Sequence, residues 1–313
     1  MVQEPARTRA LELICEEVLA HVPGFTVGGA AWATRLPGGT MNASFLVETS
    51  AGRFVVRIQN EAAAALGADH EREARLHAAA AAVGLAPVLI HVDSGAPGDT
   101  GSIANIRERG LPRGGYRFMV MEHIAGPTWT ADDMARPDRL GQLGATLHAL
   151  HGVAPPTVAP FEIGASIERL YERLCAALPG EAAHLSQLID RAGAALLISD
   201  SAQRPKTVIH NDLHHTNLIG VERLHLLDWE YAAVTDPLLD LACLLAYYPH
   251  AAAHVDTLLA SSRLAGQASP AMLGATTWLC MLVSYFWYRA RRLAGPVSAH
   301  DLAAEQELLS RLA

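Results

Sequence analysis

The sequence predicts an α+β, bilobal chain, with a small β-rich N-terminal lobe and a larger, mainly helical C-terminal lobe. Three observations carry that expectation. Between Trp32 and Ile58, β-branched and aromatic residues alternate or run apolar between glycine-containing turns. Beyond about Pro127, apolar positions recur at helical spacing. One β-rich island, from Thr207 to about Asp228, interrupts that helical stretch.

In chain order, Thr8 to Ala20 predicts a helix through Leu11, Ile14, Val18 and Leu19. Strands follow at Trp32–Leu36, Ser44–Glu48 and Arg53–Ile58, separated by Pro37-Gly38-Gly39 and Ser50-Ala51-Gly52. Ala62 to Val83 is alanine-rich and helical, ended by Gly84 with Pro87 beyond it. Val88–Val92 and Tyr116–Met121 predict two more strands, with an exposed loop rich in Gly, Pro and Asp between them. Helices are expected at 131–151, 166–178 with Ser166 as N-cap, 182–199, 237–248, 270–293 and 298–309. The expected division is an N-lobe over 1–121, a hinge at 122–126 and a C-lobe over 127–313.

Half of the 313 residues are hydrophobic and 18% are charged, which fits a chain with a sizeable buried core. The net charge of −8 argues against a nucleic-acid partner, which would need a basic face, and favours cationic small molecules. Lys206 is the only lysine. The four cysteines, Cys15, Cys175, Cys243 and Cys280, are scattered, so reduced buried thiols are expected rather than a zinc site. Glu12, Glu16 and Glu17 break any apolar leader, and a cytoplasmic protein is expected. Ala271–Tyr288 is an uncharged run of eighteen residues trailed by Arg289, Arg291 and Arg292, long enough to be weighed as a membrane span. Its threonines, serine and glycine favour a buried helix, and no membrane contact is expected.

The β-rich island carries the chemistry. Residues 208–217 read VIHNDLHHTN and 224–231 read LHLLDWEY. Two apolar runs each deliver polar residues at their ends. Phosphoryl transfer needs a carboxylate to orient the attacking hydroxyl and hard oxygen ligands for magnesium. Asp212 supplies the first; Asn217 and, eleven residues later, Asp228 supply the second. His214 and His215 raise the thought of a metal cluster with His210 and Asp212, but adjacent histidines are expected to point apart and read better as loop surface.

These motifs resemble the choline/ethanolamine kinase branch of the superfamily that also holds aminoglycoside phosphotransferases, whose fold is that of protein kinases. His210-Asn211-Asp212 and Asp228-Trp229-Glu230-Tyr231 carry the likeness to the choline kinase side, since aminoglycoside enzymes more often have glycine in the middle of the first motif. The resemblance implies ATP and magnesium as cofactors, Asp212 as catalytic base, and Asn217 and Asp228 as metal ligands. It implies that LPGGTMNASF, with Gly39 and Asn42, covers the nucleotide, and that Arg57 takes the place of the usual phosphate-binding lysine. It implies that Glu73 pairs with Arg57, with Glu71 as the competing neighbour, and that Met121, Glu122 and Ile124 line the adenine-holding hinge. His210 is expected to be structural and Asp240 to steady the catalytic loop. Glu230, Asp236, Tyr247, Trp287 and Tyr288 offer carboxylates and aromatic faces to a cationic acceptor.

The expected activity is ATP-dependent phosphorylation of a hydroxyl on a small cationic amino-alcohol such as choline or ethanolamine, by a monomer or homodimer. Aminoglycoside or thiamine phosphorylation, a catalytically silent binding protein, and a histidine-based metallohydrolase are the alternatives.

Overall fold

The computed structural model describes residues 22, 32–36, 42–49, 52–59, 69–93, 117–200, 204–295 and 297–313. The expected helix at 8–20, Gly39 with its turn, and most of the loop after Asp93 lie outside them. The chain divides into two units, Met1–Ala125 and Gly126–Ala313.

The first unit is built on an antiparallel sheet of β1 (Trp32–Arg35), β2 (Asn42–Thr49), β3 (Gly52–Gln59), β4 (Leu89–Asp93) and β5 (Phe118–Glu122), in the order β1-β2-β3-β5-β4. The period of two decides what each face carries. Phe45, Val56 and Val120 pair across three strands and join Val47, Ile58, Phe118 and Val22 in one core. Arg57 pairs with Met119 and so belongs to the opposite face of the sheet.

Helix α1 (His70–Ala82) starts at Asp69, whose carboxylate accepts from the Arg72 amide at 3.1 Å. It buries Glu73, Leu76, His77 and Ala80, the spacing of one helical face. Past its end, His77 Nε2 meets the Pro87 carbonyl at 2.7 Å and fixes the chain's turn into β4.

The second unit holds α2 (Pro137–His151), α3 (Ile163–Ala177), α4 (Ala182–Ser199), α5 (Leu238–Tyr247), α6 (Val255–Ser261), α7 (Pro270–Ala294) and α8 (Ala299–Leu312). Two small antiparallel pairs lie between α4 and α5: β6 (Thr207–Ile209) with β9 (Ala233–Thr235), and β7 (Leu218–Ile219) with β8 (His225–Leu226).

Some expectations need correction. The helix expected over 131–151 is a 3-10 turn at Ala131–Ala135 followed by α2. Arg136 is extended (φ −96°, ψ 125°) because the ring of Pro137 crowds a helical residue before it, and that proline then opens α2. Ser166 does not cap α3, which begins three residues earlier at Ile163. Helix α6 went unread, since seven residues give too little periodicity to register.

Helix α7 packs against α3, α4, α5 and α8, which accounts for its apolar surface on many sides. No described helix is long and apolar enough to cross a membrane. The arginines that trail its uncharged run are ion-paired to α8: Arg291 with Asp301 at 3.1 Å, and Arg289 and Arg292 with Glu305 at 3.4 and 3.2 Å. Cys243 and Cys280 are buried free thiols.

Gly144 lets α2 and α6 touch. A Cβ there would stand 1.9 Å from Ser261 Oγ and 3.1 Å from the Leu258 carbonyl.

Candidate active site

Residues 210–217 leave β6 and lead into β7, and one helix holds them along their length. Asp240, fully buried on α5, accepts from the backbone amides of His210 (3.1 Å) and Asn211 (2.8 Å) and meets His151 Nε2 at 3.0 Å. One turn on, Cys243 Sγ reaches the Asn211 carbonyl at 3.5 Å. One turn further, the Tyr247 hydroxyl donates to Asp212 Oδ1 at 3.0 Å. Next to it, the Tyr248 hydroxyl accepts from the His215 amide at 2.9 Å and meets His215 Nδ1 at 2.6 Å. Positions 240, 243 and 247 share a helical face.

His210 is fully buried, its ring edge-on to Trp229 with centroids 4.9 Å apart. Its Nε2 meets the Leu227 carbonyl at 2.8 Å, and because a carbonyl only accepts, the proton is on Nε2. Burial holds the imidazole below its ordinary pKa and therefore neutral. Asn211 has φ 61°, a conformation that glycine and asparagine tolerate best. The asparagine-or-glycine choice at this position is therefore a backbone matter first. What asparagine adds is a side-chain bond to the Tyr231 carbonyl at 3.2 Å, which ties the loop to the segment after Asp228.

The β7–β8 hairpin brings Asn217 and Asp228 to one end. Leu218 pairs with Leu226, and the Leu227 amide donates to the Asn217 carbonyl at 2.8 Å, so the two residues flank the open end of the ladder. At the closed end Gly220 has φ 112°, and a Cβ there would meet the Arg223 carbonyl at 2.1 Å, so glycine is required. Asn217 Nδ2 donates to the carbonyl and to Oδ2 of Asp212, at 3.0 and 2.9 Å. Two acceptors identify that end of the amide as nitrogen and turn its oxygen the other way. Asp228 has φ 62°, a strained conformation of the kind concentrated at functional sites. An amide oxygen and a carboxylate at one hairpin end suit a hard cation that completes its shell with water or phosphate oxygens. Among the described residues no group of three or more His, Cys, Asp and Glu could hold a metal. His214 Nδ1 meets Thr216 Oγ1 at 2.8 Å, and burial, then His215 and His300, lowers its imidazole to about 4.

In the first unit, Arg57 and Glu73 form a buried ion pair, 8% and 2% exposed. Glu71 is outside it, paired with Arg75 at 3.4 Å on the surface. Asn42 is buried at the start of β2. Met121 is buried near the end of β5, Ile124 is half-buried, and the Glu122 amide is bonded to the Val88 carbonyl at 2.9 Å.

Of the residues expected at the acceptor, Glu230 is buried beside Tyr231, and Trp287 meets Tyr231 and Tyr288 edge-on at 6.3 and 5.1 Å. The phenols of Tyr231, Tyr247 and Tyr288 are all raised, by burial first, with the negative charge of Asp212 contributing to each. Asp236 is occupied elsewhere. Arg204 donates to both its oxygens, at 2.6–3.0 Å, and Oδ1 also accepts from the Leu238 amide at the start of α5. His151, Cys243 and Tyr248 escaped the sequence reading; the helical spacing from Asp240 was the signal that leads to Cys243 and Tyr247.

A five-stranded antiparallel sheet followed by a mainly helical part that carries such a loop defines the kinase-like α+β fold. Solved structures of similar fold agree. A choline/ethanolamine kinase family protein from Mesorhizobium loti has TM-score 0.71 at 23% identity, over 96% of this chain and 93% of that one. Choline kinase LicA from Streptococcus pneumoniae gives 0.72 at 17%, over 96% and 98%. Plasmodium vivax ethanolamine kinase gives 0.73 at 13%, over 95% and 86%. Aminoglycoside phosphotransferases are also matched, among them a spectinomycin phosphotransferase at 0.56. At such identities the likeness establishes the fold. No curated protein shows significant sequence similarity to this chain. Residues 32–272 match the pattern of the phosphotransferase enzyme family, APH, and the chain belongs to that family. It is an enzyme of the phosphotransferase class.

Proposed function

We propose that this phosphotransferase uses ATP and magnesium to phosphorylate the hydroxyl of a small cationic amino-alcohol, with choline and ethanolamine first. The observation that carries the reading is the surrounding of Asp212. Its carboxylate is oriented from two sides, and three phenols lie within its field, two of them edge-on to or adjoining Trp287. Aromatic faces beside negative charge are what an ammonium group prefers, at about 0.5–2 kcal/mol per cation–π contact.

In this reading the acceptor oxygen attacks the γ-phosphorus, the bond from that phosphorus to the departing ADP oxygen breaks, and the hydroxyl proton passes to Asp212. Asn217 and Asp228 would hold magnesium, which would supply positive charge against the charge developing on the phosphoryl oxygens. Arg57 serves the nucleotide phosphates as a planar fork, kept in its rotamer by Glu73. Asn42 and Gly39 belong to the nucleotide-covering loop, and Met121, Glu122 and Ile124 to the adenine side. Glu230, Trp287 and Tyr288 face the acceptor's cationic head. We leave Asp236 out of that set, because its carboxylate is taken by Arg204 and the start of α5. His210 and Asp240 act on loop conformation.

Support for the acceptor class comes from the choline and ethanolamine kinases among the structural likenesses, and support for nucleotide use from a complex of one of them, LicA with AMP. The test is ADP formation with choline, ethanolamine, thiamine and kanamycin at equal concentrations. Faster turnover of either amino-alcohol supports the reading. Much faster turnover of kanamycin overturns the acceptor and leaves the phosphotransferase standing.

A further inference from the structure

We infer that Tyr247 is a positioning residue for phosphoryl transfer, one that fixes the plane of the Asp212 carboxylate through its hydroxyl. The inference rests on the reading of Asp212 as the base. A carboxylate on a loop can turn about its last side-chain bond, and its barrier to turning is low. Here both oxygens are engaged by different elements. Oδ2 accepts from Asn217 Nδ2 at 2.9 Å, within the loop itself, and Oδ1 accepts from the Tyr247 hydroxyl at 3.0 Å, from α5. Two donors on opposite oxygens leave one orientation of the plane. A carboxylate oxygen has two lone-pair directions, so one donor on each oxygen does not by itself bar an acceptor hydroxyl, which then meets the carboxylate at a fixed angle.

The donor is dependable. Burial, then the charge of Asp212, pushes the Tyr247 phenol well above its ordinary value, so it keeps its proton. Its backbone is equally fixed, because the same helix holds the loop at Asp240 and Cys243. A helix that grips the backbone at residues 210 and 211 and the side chain at 212 sets all three together.

The test is a double-mutant cycle of Tyr247→Phe and Asp212→Asn on the full chain, read as single-turnover ADP formation so that slow variants are still measured. Tyr247→Phe is expected to lower kcat about ten- to a hundredfold, the rate equivalent of one hydrogen bond to a charged group, with acceptor and nucleotide KM nearly unchanged. In the Asp212→Asn background it should cost little further. Tyr247→4-aminophenylalanine, which keeps ring and donor, should recover most of the lost kcat, and this comparison also separates the donor from packing if Phe disturbs the fold. An equal loss in both backgrounds, a change confined to KM, or failure of the amino variant to recover would overturn the role of Tyr247 while leaving Asp212 as base. Full activity of Asp212→Asn would overturn both.

Discussion

The backbone amide of Leu227 donates to the carbonyl of Asn217 at 2.8 Å, one step beyond the Leu218–Leu226 pair. That bond keeps the residue before Asp228 against Asn217, so the spacing of eleven residues between the two in sequence becomes adjacency at a hairpin end. The tight turn at Gly220 makes it possible.

If that hairpin end holds magnesium, Asp228→Ala should abolish turnover, and excess chelator should do the same to the unaltered protein until magnesium is restored. Undiminished ADP formation in chelator would rule the arrangement out.

Asp212→Asn should leave a folded protein that binds nucleotide and transfers phosphate about 10²–10⁴-fold more slowly, the usual contribution of a general base. Nucleotide affinity by calorimetry, beside the rate, separates the two effects. Near-normal turnover would count against the base.

The Arg57–Glu73 pair offers a way to separate stability from activity. Glu73→Ala takes the ion-paired carboxylate away from a buried guanidinium and should cost about 3–5 kcal/mol in chemical denaturation. Combining Arg57→Met with Glu73→Leu removes both charges from the buried site and should recover much of that stability without activity. Recovered activity in the double variant would show that Arg57 does not serve the phosphates.

Gly144→Ala should destabilise the second unit by about 1–3 kcal/mol, since the added carbon must push α2 from Ser261 and Leu258 of α6. A melting temperature equal to that of the unaltered protein would mean that the helices adjust at no cost.

Alkaline pH should loosen the fold. The phenols of Tyr231 and Tyr247 titrate well above 10.0 in the folded chain, through burial first, then Glu230 for Tyr231 and Asp212 for Tyr247. Between the unfolded value and the raised folded one, the native state holds more protons than the unfolded state. Stability is therefore intact below about pH 10 and falls as pH rises beyond it. Phenolate absorbance followed with circular dichroism checks this: the buried tyrosines should ionise only as ellipticity is lost, and ionisation near 10 in an intact fold would contradict it.

What the sequence discloses depends on how far apart the causes lie. The strands from Trp32 to Gln59 were legible because alternation is local, and α4 because eighteen residues repeat one period. Asp212, Asn217 and Asp228 were legible as a motif. The partners that hold them were less so: Asp240 and Tyr247 could be named as candidates, but not that both grip the same loop. Arg204 with Asp236 depends on the pairing of β6 with β9, and His151 with Asp240 on which helices meet, and no local pattern states either. The break at Pro137 was readable in principle, since proline both ends one turn and opens the next helix.

Helix α7 bears on how the chain is made. During synthesis α3, α4 and α5 leave the ribosome before it, and α8 follows. When its uncharged stretch emerges, three of the four described helices it packs against most are already made, and the α8 side stays bare until the arginine–carboxylate pairs can close. This long uncharged stretch is thus bare on one side only until α8 follows it. We expect a chain truncated after Gly295 and released from the ribosome to bind a chaperone that recognises apolar surface more strongly than the full chain does. Equal binding by the two would show that α8 is not what shields the helix.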